Sequence, residues 1–174
     1  MPSYAAFLGN QPAISLAELA ASIPSFQLNA VVDKAVALFS AQEELSAEFI
    51  NHLGGTIFLA QGIGNGSLGM DDVPKVFVKE LEKAKRGKVT FSLRTVGVSP
   101  KQLRNLYRAS KERLKVAGRP SRYVGNDRRA AQAVVLHESD LLQGKQGCEL
   151  VVIVDEDRGT WIGRTIGAQD VDAY

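Results

Sequence analysis

The side chains that most clearly offer chemistry in this chain are its lysines and arginines, which are unevenly distributed. Of the 21 basic residues, seventeen lie between positions 75 and 129, where the sequence holds only four acidic residues. That segment therefore carries a net formal charge of +13, whereas the remainder, with four basic and fifteen acidic residues, carries −11. Ammonium and guanidinium groups at this density attract polyanions, so the charge pattern indicates a nucleic-acid partner.

The spacing of these basic residues places most of them in two lines. A predicted helix over 73–86 carries four at intervals of four, four and three, so they share its outer face. In a second predicted helix, over 100–118, five fall within about 80° of one another on a helical wheel. Arginines in the following loop and strand extend the charge. We predict that these side chains bind RNA: Lys75, Lys79, Lys83, Arg86, Lys101, Arg104, Arg108, Lys111, Lys115, Arg119, Arg122, Arg128 and Arg129.

A basic helical face can also bind a membrane surface or simply be solvated. Membrane binding calls for large apolar residues at the border of the basic face, whereas these helices carry an ordinary apolar stripe on the opposite side. Besides Tyr107 and Tyr123, the basic segment offers few aromatic side chains for stacking on bases. We therefore predict that the surface recognises the shape and the phosphates of a folded RNA.

No arrangement typical of catalysis or metal binding is recognisable. Cys148 is the single cysteine, and His52 and His137 are far apart in sequence, which disfavours an activated thiolate and a zinc site. Residues 64–69 match the G-x-G-x-x-G pattern, but two aspartates follow where a pyrophosphate would sit, which favours an interdomain hinge. We expect no catalytic, cofactor-binding or metal-binding residues in this chain.

The elements that position the basic residues follow a first half of alternating strands and helices. Apolar, β-compatible runs predict strands at 4–8, 26–32, 34–39 and 56–60. Ser15 with Glu18, and Ser40 with Glu43, each form an S-x-x-E capping box that predicts a helix start, with Ile14 as part of a hydrophobic staple in the first. The order is β-α-β-β-α-β, the ferredoxin-like arrangement.

The second half is predicted to be another α/β unit. Residues 88–96 alternate as a strand, and a capping box at Ser99 opens the helix that ends at Gly118. Residues 130–142 fit either a helix or a strand, whereas 149–154 and 160–167 predict a hairpin. The predicted α+β organisation is a ferredoxin-like domain at 1–64, a flexible glycine-rich linker at 65–70, a second α/β domain at 71–168, and the start of another linker at 169–174.

Size and composition agree with a folded protein. The 174 residues are 45% apolar, which suffices for one ordinary domain or two small ones. The N-terminus lacks the pattern of a secretory leader, and no stretch reaches the roughly 18 apolar residues that span a bilayer. We expect a cytoplasmic monomer without a membrane partner.

Several motifs resemble one known family. They are Tyr4-Ala-Ala-Phe-Leu-Gly-Asn with Ser15-Leu-Ala-Glu-Leu, then Leu53-Gly-Gly-Thr-Ile, and finally Ile162-Gly-Arg-Thr-Ile-Gly with the residues that follow it. Across nearly the whole chain, the sequence resembles the N-terminal half of the THUMP-containing tRNA guanine-N2 methyltransferases. The resemblance implies a ferredoxin-like domain, a THUMP domain that binds the acceptor end of tRNA, and a Rossmann-like domain that binds S-adenosylmethionine.

One motif of that family is missing. Its enzymes carry an Asp/Asn-Pro-Pro-aromatic sequence at the target base, whereas the six prolines of this chain never occur as a pair. The resemblance thus implies an RNA-binding module that docks tRNA for an S-adenosylmethionine-dependent methyltransferase domain not present in this chain, and no catalytic activity of the chain alone. A free-standing adaptor that binds RNA or an acidic protein is the alternative, and a small enzyme with an unrecognised site is a third.

Overall fold

The computed structural model describes residues 1–64, 68–125 and 130–170. The strands in these ranges are β1 (Ser3–Leu8), β2 (Gln27–Val32), β3 (Val36–Ser40), β4 (Thr56–Gly62), β5 (Val89–Val96), β6 (Ser121–Tyr123), β7 (Gly147–Asp155) and β8 (Gly159–Ala168). The helices are α1 (Pro12–Ser22), α2 (Val73–Leu81), α3 (Pro100–Val116) and α4 (Ala133–Glu138), with a 3-10 helix at Ala47–His52. Among the described residues, no helix has the length and apolar character needed to span a membrane.

The first half forms a ferredoxin-like unit. Its strands lie in the order β2-β3-β1-β4, and every neighbouring pair is antiparallel. The turn between β2 and β3 places Asp33 and Lys34 at φ of 51° and 55°, the backbone conformation of the tight hairpin turns that match the twist of a strand pair. The predicted βαββαβ order is confirmed, with the 3-10 helix in the place of the second helix.

The predicted capping box at Ser15 is wrong. Helix α1 begins earlier, at Pro12, whose fixed φ suits the first helical turn. Ser15 is buried and donates a hydrogen bond to the carbonyl oxygen of Gly55 at 2.7 Å, while the Glu18 carboxylate accepts from the amides of Gly54 at 2.6 Å and Gly55 at 2.9 Å. These two side chains therefore fasten the helix to the turn before β4.

The predicted helix start at Ser40 and the hydrophobic staple at Ile14 are also wrong. Ser40 is the last residue of β3, and its hydroxyl accepts a hydrogen bond from the side-chain amide of Asn29 at 2.8 Å. The Glu43 carboxylate bonds to the hydroxyl of Ser25, which lowers the pKa of this carboxyl group. Ile14 is an exposed large hydrophobic side chain. The Ser40 hydroxyl and the Glu43 carboxylate thus bond to distant residues instead of capping a helix.

The second half adds two helices on one face of its strands. Strand β5 pairs in parallel with both β6 and β7, and β7 forms the predicted antiparallel hairpin with β8. The capping box at Ser99 is confirmed, because its hydroxyl accepts from the amide of Gln102 at 3.2 Å and the Gln102 side chain accepts from the amide of Ser99 at 2.9 Å. Past the end of α3, Gly118 has a φ of 71°, which favours glycine. Within 130–142, the structure contains helix α4.

The two halves share one sheet and an apolar cluster. Strand β4 of the first half pairs antiparallel with β8 of the second, so the full order is β2-β3-β1-β4-β8-β7-β5-β6. A single apolar cluster joins Ala5 and Val36 of the first half to Val151 and Ile153 of the second. The expectation of two lobes joined only through the glycine-rich segment is therefore corrected. The domain boundaries at 64 and 71 stay a prediction about independent folding.

A buried ion pair lies on the side of β5 that faces away from α2 and α3. The Arg94 guanidinium donates from Nε to the Glu149 carboxylate at 2.7 Å and from Nη2 to the carbonyl oxygen of Ala131 at 2.6 Å. The same carboxylate accepts from the hydroxyls of Thr165 at 2.6 Å and Ser92 at 3.1 Å. Since Glu149 is fully buried, these bonds replace the water that a charged group needs.

Aromatic rings of the first half enclose the same guanidinium. The Cζ atom of Arg94 lies 3.6 Å from the ring centroid of Phe58 on β4 and 5.5 Å from that of Phe7 on β1. These distances are those of cation–π contacts, in which the ring face attracts the cation. Arg94 thus contacts both halves, and it helps to fix the orientation of the basic segment relative to the first half.

Candidate nucleic-acid interface

Helix α3 presents the longer line of basic side chains. Its buried residues, Leu106, Ser110 and Leu114, face the sheet, where Leu106 and Leu114 join the core. The basic residues of the opposite side are all exposed: Lys101, Arg104, Arg108, Lys111 and Lys115. The predicted separation of apolar and basic faces on this helix is confirmed, whereas the assignment of its cations to RNA remains a prediction.

Helix α2 packs beside α3 on the same face of the sheet, with Phe77 and Leu81 in the shared core. Lys75 and Lys79 are exposed on its outer side, and Lys83 is exposed in the turn that follows it. Lys75 pairs with Asp72 at 2.9 Å and Lys83 with Glu80 at 2.5 Å. The Lys75–Asp72 pair is exposed on both sides and therefore weak, so the Lys75 ammonium stays available to phosphates; in the second pair Lys83 is exposed, whereas Glu80 is nearly buried.

Arg119 connects the segments that follow the two helices. Helix α2 ends at Leu81 rather than at the predicted residue 86, and the chain after it turns back toward the sheet. The Arg119 guanidinium donates to the carbonyl oxygens of Lys85 at 2.7 Å, Gly87 at 3.3 Å and Ala84 at 3.4 Å. Arg86 follows as an exposed residue in this turn. Arg119 therefore holds the two basic helices in a fixed relation, in addition to contributing charge.

An open groove of about 1060 Å³ runs along α3 and the turn before β6. Arg108, Lys111, Lys115 and Arg119 supply cations to its wall, and Glu112 is the acidic residue among the lining side chains. Tyr107 also lines it, and the Lys111 ammonium donates to the Tyr107 hydroxyl at 3.0 Å. The groove thus offers several positive charges and one aromatic ring edge, which suits a sugar-phosphate chain.

Strand β6 forms the outer edge of the sheet beside this groove. Arg122 is exposed on it, between the half-buried residues Ser121 and Tyr123. The Tyr107 and Tyr123 rings pack together with centroids 4.8 Å apart, so much of each ring is used for packing rather than for stacking on bases. Arg128 and Arg129 of the predicted set lie outside the described residues.

Tertiary structure brings two further basic residues to this surface, which the charge count along the sequence leaves out. The carbonyl oxygen of Lys145 accepts from the amide of Lys85 at 2.9 Å, so this lysine lies beside the end of α2. The Arg164 Nε lies 3.8 Å from the Glu80 carboxylate on α2. Strand alternation alone predicts that Arg164 shares a face with Ile162 and Ile166, but not that α2 covers that face.

Cys148 and His137 have surroundings that fit structural roles. Burial raises the pKa of the Cys148 thiol to about 12, so this side chain packs in the core as a neutral group. The Nε2 atom of His137 lies 3.0 Å from the carbonyl oxygen of Ala168. Within the described residues, no group of three or more His, Cys, Asp or Glu side chains is arranged to hold a metal ion.

The fold and this surface define an α+β protein with a ferredoxin-like unit, a second α/β unit and a basic helical face. No protein-family model and no curated protein matches the chain. Among solved structures it is similar to TrmN from Thermus thermophilus, with a TM-score of 0.59 and 15% identity over 95% of this chain and 46% of that one.

A second similar structure is a 4-thiouridine synthetase in complex with RNA and with bound ATP. Its TM-score is 0.52 at 12% identity, over 95% of this chain and 41% of that one. The chain therefore spans less than half the length of either protein. At these identities the similarity shows the fold alone, and it confirms the predicted class, a ferredoxin-like βαββαβ unit followed by a THUMP-like α/β unit.

Proposed function

We propose that this chain is an RNA-binding module that docks tRNA by its acceptor end on the basic face of α2 and α3. The observation that carries the proposal is the joint presentation of exposed lysines and arginines by two helices packed side by side. A duplex or folded RNA offers regularly spaced phosphates, and a rigid pair of basic helices contacts several of them at once. The RNA in the similar 4-thiouridine synthetase structure supports this choice of polyanion.

The module acts for a separate catalytic domain in this proposal. The similarity to TrmN and to a 4-thiouridine synthetase covers less than half of each, so the rest of those chains lies outside the shared fold. We propose that a methyltransferase domain binds S-adenosylmethionine and modifies the docked tRNA. Calorimetry should then detect no stoichiometric binding of S-adenosylmethionine to this chain, and such binding would contradict the division of roles.

The RNA contact is tested by the salt dependence of tRNA binding. Replacing Arg104 and Arg108 with glutamine removes two exposed charges that lie away from the core. Each phosphate contact contributes roughly 0.7–0.9 to the slope of log affinity against log salt, so the double variant should lose about 1.4–1.8 of slope. Fluorescence anisotropy with a labelled tRNA transcript, between about 50 and 200 mM salt, measures both slope and affinity.

The matched control replaces Lys34 and Arg158 with glutamine, which also removes two exposed charges but outside the basic segment. Lys145 is unsuitable as a control because its carbonyl oxygen accepts from the amide of Lys85, within the basic segment between α2 and β5. Equal losses in both double variants would show that the face is merely solvated. An acceptor-stem minihelix should bind with an affinity close to that of whole tRNA, whereas an anticodon stem-loop should not. If polyglutamate binds as tightly as tRNA, the result would favour an adaptor for acidic proteins.

A further inference from the structure

A depression between the first half and α2 contains a guanidinium group without a hydrogen-bond acceptor among the described residues. Arg164 lies on β8, and its side chain is 29% exposed. Its closest charged partner is the Glu80 carboxylate, 3.8 Å from Nε, which is too long for a hydrogen bond. A guanidinium has five N–H donors, and those of the half-buried Arg164 are left to water or to an anion that enters the depression.

Other donors surround the same space. Gln61 on β4 lies directly opposite Arg164 in the β4–β8 ladder, so both side chains project from the same face of the sheet. Lys83 reaches the depression from the turn that follows α2, and Ser3 contributes to its wall from β1. The volume is about 520 Å³, and it opens to solvent beside the basic face of α2. Guanidinium, ammonium and amide donors thus converge where no described side chain accepts from Arg164.

Glu80 sets the charge of this site. Its carboxylate is nearly buried, bonds the Lys83 ammonium at 2.5 Å and faces Arg164. Among the side chains that line the depression, two cations and one carboxylate leave a formal charge of +1. A phosphodiester of a nucleic-acid backbone carries a single negative charge, whereas a terminal or free phosphate carries nearly two at neutral pH. The charge therefore fits a phosphodiester better than a phosphomonoester.

We propose that Arg164, Gln61 and Lys83 form a binding site for one backbone phosphodiester of RNA, where the RNA passes from the basic face of α2 onto the first half. The proposal rests on the proposed function, because Lys83 belongs to both surfaces. Arg164 provides a planar fork that matches two phosphate oxygens, and Gln61 adds a neutral donor beside it. The site extends the interface beyond the segment that carries most of the charge in the sequence.

The central experiment replaces Arg164 with glutamine and measures tRNA affinity against salt by fluorescence anisotropy. Loss of one phosphate contact should weaken binding roughly three- to tenfold and reduce the slope by about 0.7–0.9. The matched control is Arg158→Gln, which removes an exposed charge at the tip of the same hairpin and should leave both quantities unchanged.

Two further variants separate binding from folding. Arg164→Lys retains the charge but loses the fork, so the slope should stay near the wild-type value while affinity falls about twofold or more. Gln61→Leu removes an uncharged donor, so affinity should fall with no change of slope. Circular dichroism of each variant establishes that the sheet is intact, and the two conservative variants keep the test valid if Arg164→Gln does not fold.

The outcomes distinguish this site from the proposed function. Suppose that the Arg104 and Arg108 double variant loses slope but Arg164→Gln binds tRNA like the wild type. The phosphodiester site is then refuted and the RNA-binding module stands. If Arg164→Gln does not fold, wild-type binding by Arg164→Lys and Gln61→Leu has the same meaning. If neither the double variant nor Arg164→Gln changes binding, the module itself is refuted. Calorimetry with inorganic phosphate tests whether the ligand is a free anion instead. If Arg164→Gln abolishes phosphate binding but leaves tRNA affinity unchanged, the site binds a free anion and the proposal is overturned.

Discussion

Replacing Glu149 with leucine is expected to destabilise the protein strongly, because it leaves the Arg94 guanidinium buried without its counter-charge. Wild-type Glu149 accepts from Arg94 at 2.7 Å and 3.2 Å, and its oxygens also satisfy the hydroxyls of Ser92 and Thr165. Removing one partner of a buried pair typically costs about 3–5 kcal/mol. Domains of ordinary size have a free energy of unfolding of about 5–15 kcal/mol, so this loss is a large fraction of the total.

The double variant Arg94→Met with Glu149→Leu should be less destabilised than the sum of the two single variants. It removes both charges, and the apolar side chains fit between the rings of Phe7 and Phe58 that now enclose the guanidinium. We expect a coupling of about 2–3 kcal/mol, the upper range for residues in direct contact. The carbonyl oxygen of Ala131 loses its donor in this variant, so full recovery of stability is not expected.

Urea denaturation followed by two signals measures these effects. Trp161 is the single tryptophan and packs in the cluster shared by the two halves, so its fluorescence reports their contact. Far-ultraviolet circular dichroism reports the sheet. With a urea slope of roughly 1–3 kcal/mol per molar, a loss of 3–5 kcal/mol lowers the midpoint by about 1 M or more. Coincident transitions in the wild type would show that the halves unfold together.

Glu156→Leu is the matched control, because Glu156 is exposed in the turn between β7 and β8 and its replacement should change stability by less than about 0.5 kcal/mol. A loss below about 1 kcal/mol for Glu149→Leu, together with additive single variants, would refute the reasoning. Separate transitions for the two signals would instead support the prediction that the halves fold independently.

Three smaller predictions concern single residues. Ser99→Ala should lower the free energy of unfolding by about 1 kcal/mol, because it removes the confirmed cap of α3. Ser46→Ala, at the start of the 3-10 helix, should have little effect, since the Ser46 side chain makes no capping bond. Thermal unfolding compares the two variants. Ser15→Ala should cost about 0.5–1.5 kcal/mol in urea denaturation, because the carbonyl oxygen of Gly55 loses one of its two donors and keeps only the Gly9 amide at 2.7 Å; a cost near zero would show that water replaces the hydroxyl. Cys148 should not react with a thiol reagent at pH 8 until the protein unfolds, and rapid labelling of the native protein would contradict this. The free energy of unfolding should fall as the pH rises above about 9, because the unfolded chain then releases a proton that the folded thiol, with its pKa of about 12, retains.

The three capping boxes show how far a local pattern can be trusted. All three serines are followed at the third position by a residue that can complete the box, yet only Ser99 caps a helix. Ser99 is exposed and has no competing partner, so the local interaction decides. The buried Ser15 side chain donates to the carbonyl oxygen of Gly55, and Ser40 belongs to β3, where it pairs with Ser3 of β1. In both cases long-range bonds outweigh the cap, which a pattern of four residues cannot reveal.

Features that depend on neighbours along the chain can be predicted from the sequence. The alternation of apolar residues in β5 and the helical spacing in α3 specify which faces are buried, because side-chain direction follows from the backbone period. The clustering of lysines and arginines likewise fixed the basic character of α2 and α3. The positions of the strands in the first half follow from the same local signals, whereas the capping boxes there misplace both helix starts.

The way in which these elements meet depends on long-range packing. The pairing of β4 with β8, the enclosure of Arg94 by Phe58, and the arrival of Arg164 beside Glu80 each join residues far apart in the chain. Their energies depend on the exclusion of water from a shared core, and exclusion is a property of the assembled sheet rather than of any short segment. The extent of the basic surface across the boundary between the halves is therefore set by packing, whereas its charge is set by the sequence.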